Sequence, residues 1–203
     1  MANVGAPRRD RARVRSARWG SSRGTIADCR TNESKMNVTE KQIDDETLDS
    51  IREYAQEAAE WLEIGLTDEL KPEDIVAAVD QRVHEIQKQG PGEDAEKTAD
   101  TNEEAALTLA SLWGEQLVRH LGWHWAKIAF HDHDDAEAIG VFSPDRSLAI
   151  YPFHFVFSCF EDGVPVTILL AFDVLSDGQR VPDLPKRGYE NVMDNVHHVI
   201  PRD

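Results

Sequence analysis

At Gly122 the apolar period of the chain changes. Before it, Leu109, Leu112, Trp113, Leu117 and Leu121 recur at three- and four-residue steps, the spacing that puts side chains on one face of a helix. After it, from Trp123 to Phe130, alternate residues group as His124, Ala126, Ile128, Phe130 and as Trp123, Trp125, Lys127, Ala129, the period of a strand whose two faces are both largely apolar. A helix running into a covered strand restricts the chain to mixed architectures, and the downstream elements narrow them to α+β. Ile139, Val141 and Phe142 predict a second strand, and Ser143-Pro144-Asp145 a turn with proline in a favoured place. The predicted fold is an N-terminal helical pair, then a helix and C-terminal helices packed on a small antiparallel sheet.

The helical pair rests on two clear patterns. Leu48, Ile51, Ala55, Ala58 and Leu62 share a face behind an acidic start at Asp44, Asp45 and Glu46. Pro72 opens a second helix over 72–89, where its missing N–H costs nothing, and Gly90 supplies the cap. Between Gly90 and Asn102 no large apolar residue occurs, so 91–101 reads as a linker, with Thr101 and Glu104 as a capping box for the third helix. The α+β domain is then 102–203. Leu148 to Phe160 is expected to be a long strand broken at Pro152, with Phe153, Phe155, Phe157 and Cys159 facing the core. Val164 to Leu175 fits both periods; Pro165 near its start and Gly178 after it favour a helix. Tyr189, Val192, Met193 and Val196 form a short amphipathic piece that packs back on the sheet.

Charge divides the chain at Met36. Residues 1–35 carry nine basic against three acidic residues, a net +6, whereas 36–203 carry 13 basic against 35 acidic, a net −22. The first segment is rich in Arg, Ser and Gly and poor in large apolar residues, so disorder is expected there. It reads most simply as upstream sequence read through before a true start at Met36, with a basic tail or an Arg-rich targeting or nucleic-acid arm as alternatives. For residues 36–203 the acidic balance argues against nucleic acid and toward a basic protein partner. No apolar run is long enough for a membrane span, and no apolar secretory stretch follows the N-terminal arginines. Two cysteines, Cys29 and Cys159, make no disulfide framework and suit a reducing, cytoplasmic setting.

The strongest chemical signal is His131-Asp132-His133-Asp134-Asp135 with Glu137. Two imidazoles two residues apart on an extended chain point the same way, and nearby carboxylates can complete a shell around a divalent metal such as Zn. His131, His133, Asp135 and Glu137 are therefore the candidate ligands. The stretch resembles the His-x-His-x-Asp-His element of metallo-β-lactamase-like hydrolases, but Ala136 stands where the last His belongs. Read as His-x-His-x-x-x-Glu it resembles the first cupin motif, with Trp125 in place of the expected glycine and no matching second half. The plain alternative is a solvated hairpin tip of turn-favouring Asp and polar His.

Other candidates are weaker. His120 and His124 straddle Gly122 and do not share a helical face, and His197 and His198 are adjacent and point apart. His154 reads as a half-buried histidine, and Cys159 as core, where an apolar setting disfavours the thiolate. No nucleophile elbow, phosphate loop or dinucleotide turn is present in the sequence. Trp113, Trp123 and Trp125 read as core anchors, and Trp61 as the residue that docks the helical pair.

The run Leu112-Trp113-Gly114-Glu115-Gln116-Leu117-Val118, then Gly122-Trp123, Ser143-Pro144-Asp145-Arg146 and Tyr151-Pro152, resembles a group of small bacterial α+β domains with no assigned activity. The resemblance spans about residues 101–200. It implies a helix leading through a Gly-Trp pair into a short antiparallel sheet and a later helix, and it implies no catalytic residue and no cofactor. The expected function is a non-enzymatic interaction or regulatory module, an adaptor or immunity-like protein. The competing expectation is a metal-dependent hydrolase or cupin-like enzyme built on His131 and His133.

Overall fold

The computed structural model describes residues 37–65, 70–90, 95–132, 136–178 and 181–196, the side chains of 95–98 and 195 excepted. The expected tail at 1–35 lies outside the described residues. The elements are β1 (Val38–Lys41), α1 (Asp45–Trp61), α2 (Pro72–Gln89), α3 (Ala95–Leu121), β2 (His124–Phe130), β3 (Ala136–Phe142), β4 (Leu148–Ile150), α4 (Pro152–Glu161), α5 (Ile168–Asp177), β5 (Glu190–Asn191) and α6 (Val192–Val196). The α+β fold class is as expected.

Local chemistry explains the helix ends. Asp44 caps α1 by accepting from the backbone N–H of Thr47 at 2.8 Å, and Pro72 sits at the first turn of α2. The third helix starts earlier than the linker reading allowed. Ala95 to Asp100 form its first turns, and Thr101 lies inside the helix instead of capping it. Ala, Glu and Lys are strong helix formers, and a helix can extend past the end of its buried stripe on propensity alone. Leu109, Leu112, Trp113 and Leu117 are fully buried on the inner face of α3. Ala55, Ala58 and Ala59 of α1 are buried where α1 packs along α3.

Pro152 does not interrupt a strand; it begins a helix. Residues 152–161 are α4, with Phe153, Phe155, Val156 and Cys159 buried and Phe157 36% exposed. The apolar set also satisfies i, i+3, i+4 spacing, and proline at the first helical turn decides between the two periods. The helix expected from 164 begins at Ile168. The Asp80 carboxylate of α2 accepts from the backbone N–H of Leu169 at 3.0 Å in its first turn, and Gly178 ends it in the left-handed conformation at φ 65°.

The five strands lie in the order β1-β2-β3-β4-β5. The first three pairings are antiparallel and β4–β5 is parallel, so the sheet departs from the all-antiparallel expectation at its last strand. β1, a short polar strand absent from the sequence reading, occupies one edge. One sheet face, with Trp125, Val141 and Ile150, joins the large core shared with residues of all six helices. The opposite face carries a second cluster of Ala126, Ile128, Phe142, Ala149 and Tyr189, flanked by Val38, Phe130, Ala138 and Tyr151. Gly140 is required there, because a Cβ would stand 2.9 Å from both the Ile150 carbonyl oxygen and Tyr151 Cδ1.

Candidate functional site

The second sheet face ends in a polar cluster centred on Glu40 of β1. Antiparallel pairing sets Glu40 opposite Ile128, two residues along the same face of β2 from Ala126 and four from His124. The Glu40 carboxylate accepts from Arg146 Nε at 3.2 Å and Nη2 at 3.1 Å, and from the Tyr189 hydroxyl at 3.0 Å. His124 Nε2 lies 3.2 Å from its other side; a carboxylate only accepts, so Nε2 carries the proton in this contact. Glu40 is 23% exposed. Partial burial pushes its pKa up, but the bonds from Arg146, His124 and Tyr189 outweigh that and hold the carboxyl below its usual range. Tyr189 moves the other way, its phenol pushed up by burial and by donating to Glu40.

The backbone that delivers these partners is unusual. Arg146, Arg187 and Tyr189 have positive φ of 62°, 59° and 50°, a region that non-glycine residues enter at a cost. Three bonds hold them there: Arg187 N–H to Asp145 O, Tyr189 N–H to Arg146 O and Glu190 N–H to Ser147 O. Asp145 Oδ1 in turn accepts from the Ser147 N–H and from the Ser147 and Ser143 hydroxyls. Those bonds, the Ser147 backbone first, hold Asp145 below the ordinary carboxylate range. Each of the three Arg146 guanidinium nitrogens makes a bond, since Nη1 donates to the Pro144 carbonyl. The cluster is a clamp: one carboxylate fastens β1 to β2, to the 143–147 turn and to the segment before β5.

Of the sequence-predicted ligands, His131 and Glu137 fall outside this cluster. His131 is at the end of β2, its Nε2 2.7 Å from Thr39 Oγ1 and its N–H donating to Asn37 O. Glu137 on β3 lies between Lys127 Nζ at 2.6 Å and Lys41 Nζ at 3.0 Å, and these two cations hold its carboxyl below the usual range. His133 and Asp135 lie outside the described residues, as do His197 and His198. Among the described residues no three His, Cys, Asp or Glu side chains are grouped to hold a metal ion.

Of the other candidates, His154 is exposed on α4, not half-buried, because 152–161 is helical and its outward face carries residue 154. Cys159 is fully buried, and burial pushes its thiol up to about 12. Trp113, Trp123 and Trp125 are core. Trp61 is not buried at a helix junction: it is 43% exposed, with the Arg82 guanidinium 4.5 Å above its ring.

Glu40, Arg146 and Tyr189 were not singled out by sequence reasoning, being 106 and 149 residues apart across the two pairs. The available signal was the Ser-Pro-Asp-Arg turn, whose Asp-Ser bonding fixes where the arginine goes. No helix among the described residues is long and apolar enough to cross a membrane. No protein-family profile, curated protein or solved structure matches the chain.

Proposed function

We propose that the chain is a non-enzymatic cytoplasmic interaction or regulatory module, adaptor or immunity-like, whose acidic body meets a basic protein. The observation that carries this reading is the outer surface of α1. Asp45, Glu46, Asp49, Glu53, Glu57 and Glu60 are all exposed there, and the one cation of the helix, Arg52, is paired with Asp49. Like charges four apart, as at Asp49, Glu53 and Glu57, cost an isolated helix roughly 0.2–0.5 kcal/mol each. The fold gains nothing from that repulsion, whereas a basic partner relieves it and is steered by it. Exposed Trp61 ends the stripe with an aromatic side chain of the type that anchors interfaces.

The test is binding of candidate basic proteins to the wild type and to an E53Q/E57Q/E60Q variant, at low and at high salt. The expected result is a reconstituted complex that weakens in the variant and whose affinity falls with ionic strength. A complex indifferent to both overturns the reading. So does one equivalent of zinc, iron or manganese in protein purified without a histidine tag or chelator and lost in H131A/H133A, which would favour the metal-dependent enzyme.

A further inference from the structure

β1 differs from the other strands in how it is held. It has four residues, lies at the sheet edge, and only Val38 packs against an apolar cluster. Its backbone pairs with β2 from Val38↔Phe130 to Lys41↔Lys127, and its remaining side chains make polar ties. Of these, Glu40 alone reaches three separate segments. The groups facing it are Arg146 from the β3–β4 turn, His124 from β2 and Tyr189 from the segment before β5. Asp145 and Arg187 stand behind them, acting on Arg146 and Tyr189, and Lys41 on its own strand turns to Glu137. The helix-packed core beneath the other sheet face contains no part of this cluster.

We propose that Glu40 is an acid-released latch: protonating this one carboxylate frees β1 from the sheet edge and uncovers the β2 edge, while the helix-packed core stays folded. A protonated carboxyl no longer balances the Arg146 charge and gives up acceptor capacity that Arg146, His124 and Tyr189 share. His124 works in the opposite direction, because its Nε2–H donates to the carboxylate and favours the charged form. Release therefore begins only where Glu40 itself takes up a proton. The backbone pairing with β2, the packing of Val38 and the exposed ties of Thr39 and Lys41 are then left to hold β1, against local opening that costs little at a sheet edge.

The experiment is amide hydrogen exchange on the full chain from about pH 7 to about pH 3, corrected for intrinsic rates. Protection at Thr39 and Lys41, whose N–H groups face β2, is expected to fall about tenfold across this range, while Leu109 to Leu117 of α3 stay protected. Y189F removes one donor to the carboxylate and is expected to move release to higher pH. E40Q keeps the shape without the charge, so its β1 should exchange at neutral pH as the wild type does in acid. Loss of protection in β1 and α3 at one common pH overturns the latch, as does an E40Q strand that keeps the wild-type pH response. The wild-type series and Y189F decide the matter if E40Q fails to fold.

Discussion

The indole of Trp125 lies directly on Gly114. A Cβ at residue 114 would overlap the Cζ2 and Cη2 atoms of the ring, so the middle of α3 has no side chain at the point where β2 crosses it. Glycine inside a helix ordinarily costs about 1 kcal/mol relative to alanine. Here the substitution runs the other way: G114A should destabilise by about 1–3 kcal/mol, because the ring must leave a site where it also stacks on Phe153 at 5.5 Å. Denaturant unfolding checks this, and a midpoint equal to or above the wild type would show that the ring yields without cost.

The next residue completes the same joint. Glu115, only 8% exposed, accepts the Trp125 indole N–H at 3.0 Å. E115A strands a buried donor and should cost about 1–3 kcal/mol, whereas E115Q keeps an acceptor and should cost less. Equal losses in the two variants would mean that a neutral amide oxygen does not serve and that the carboxylate charge, which also faces Arg119 at 3.7 Å, is what the joint needs.

This joint also shows what could be read in the sequence and what could not. The stripe of α3 and the alternation of β2 are local patterns, and their change of period at Gly122 was visible; that Gly114 lies beneath Trp125 is a contact between elements and left no periodic trace. The aromatic row from Phe153 to Cys159 satisfied both periods, and the residue that decides, Pro152, could be read as a break or as a first turn. β1 was missed because Val38-Thr39-Glu40-Lys41 is short and polar, as edge strands are. The Glu40 cluster escapes the sequence for a related reason: its members come from four places in the chain, where His124 reads as a boundary residue, Tyr189 as part of an amphipathic piece and Arg146 as part of a turn.

Two carboxylates near the β1 edge each face basic side chains, and burial should separate their effects. Glu137 is 37% exposed between Lys41 and Lys127, so E137Q should cost less than about 1 kcal/mol and the loss should shrink in high salt. Glu40, the less exposed and the one gripped twice by Arg146, should cost more as E40Q and be less sensitive to salt. Both folded pKa values are depressed. Their contributions are therefore present above the unfolded carboxylate value of about 4.3 and are lost as pH falls through the folded values. Urea unfolding should show the gap between wild type and E40Q closing as pH drops below about 4. A gap that widens in acid would contradict the depressed value.

Cys159 provides a reporter for the core that lies away from that edge. It is fully buried on α4, its carbonyl accepts from Gln87 at 2.7 Å, and its thiol is pushed up to about 12 by burial and by the nearby Asp80 charge. At about pH 8 the thiolate fraction in the folded state is then on the order of one in ten thousand, against a free cysteine that ionises near pH 8.5. With Cys29 replaced by serine, a thiol reagent should therefore label the native protein only as fast as α4 opens, and labelling should become immediate in denaturant. A disulfide reagent that is active in mild acid should likewise leave Cys159 unlabelled there if only β1 has been released, since α4 packs on α3. Rapid native labelling would show that Cys159 is reached without unfolding.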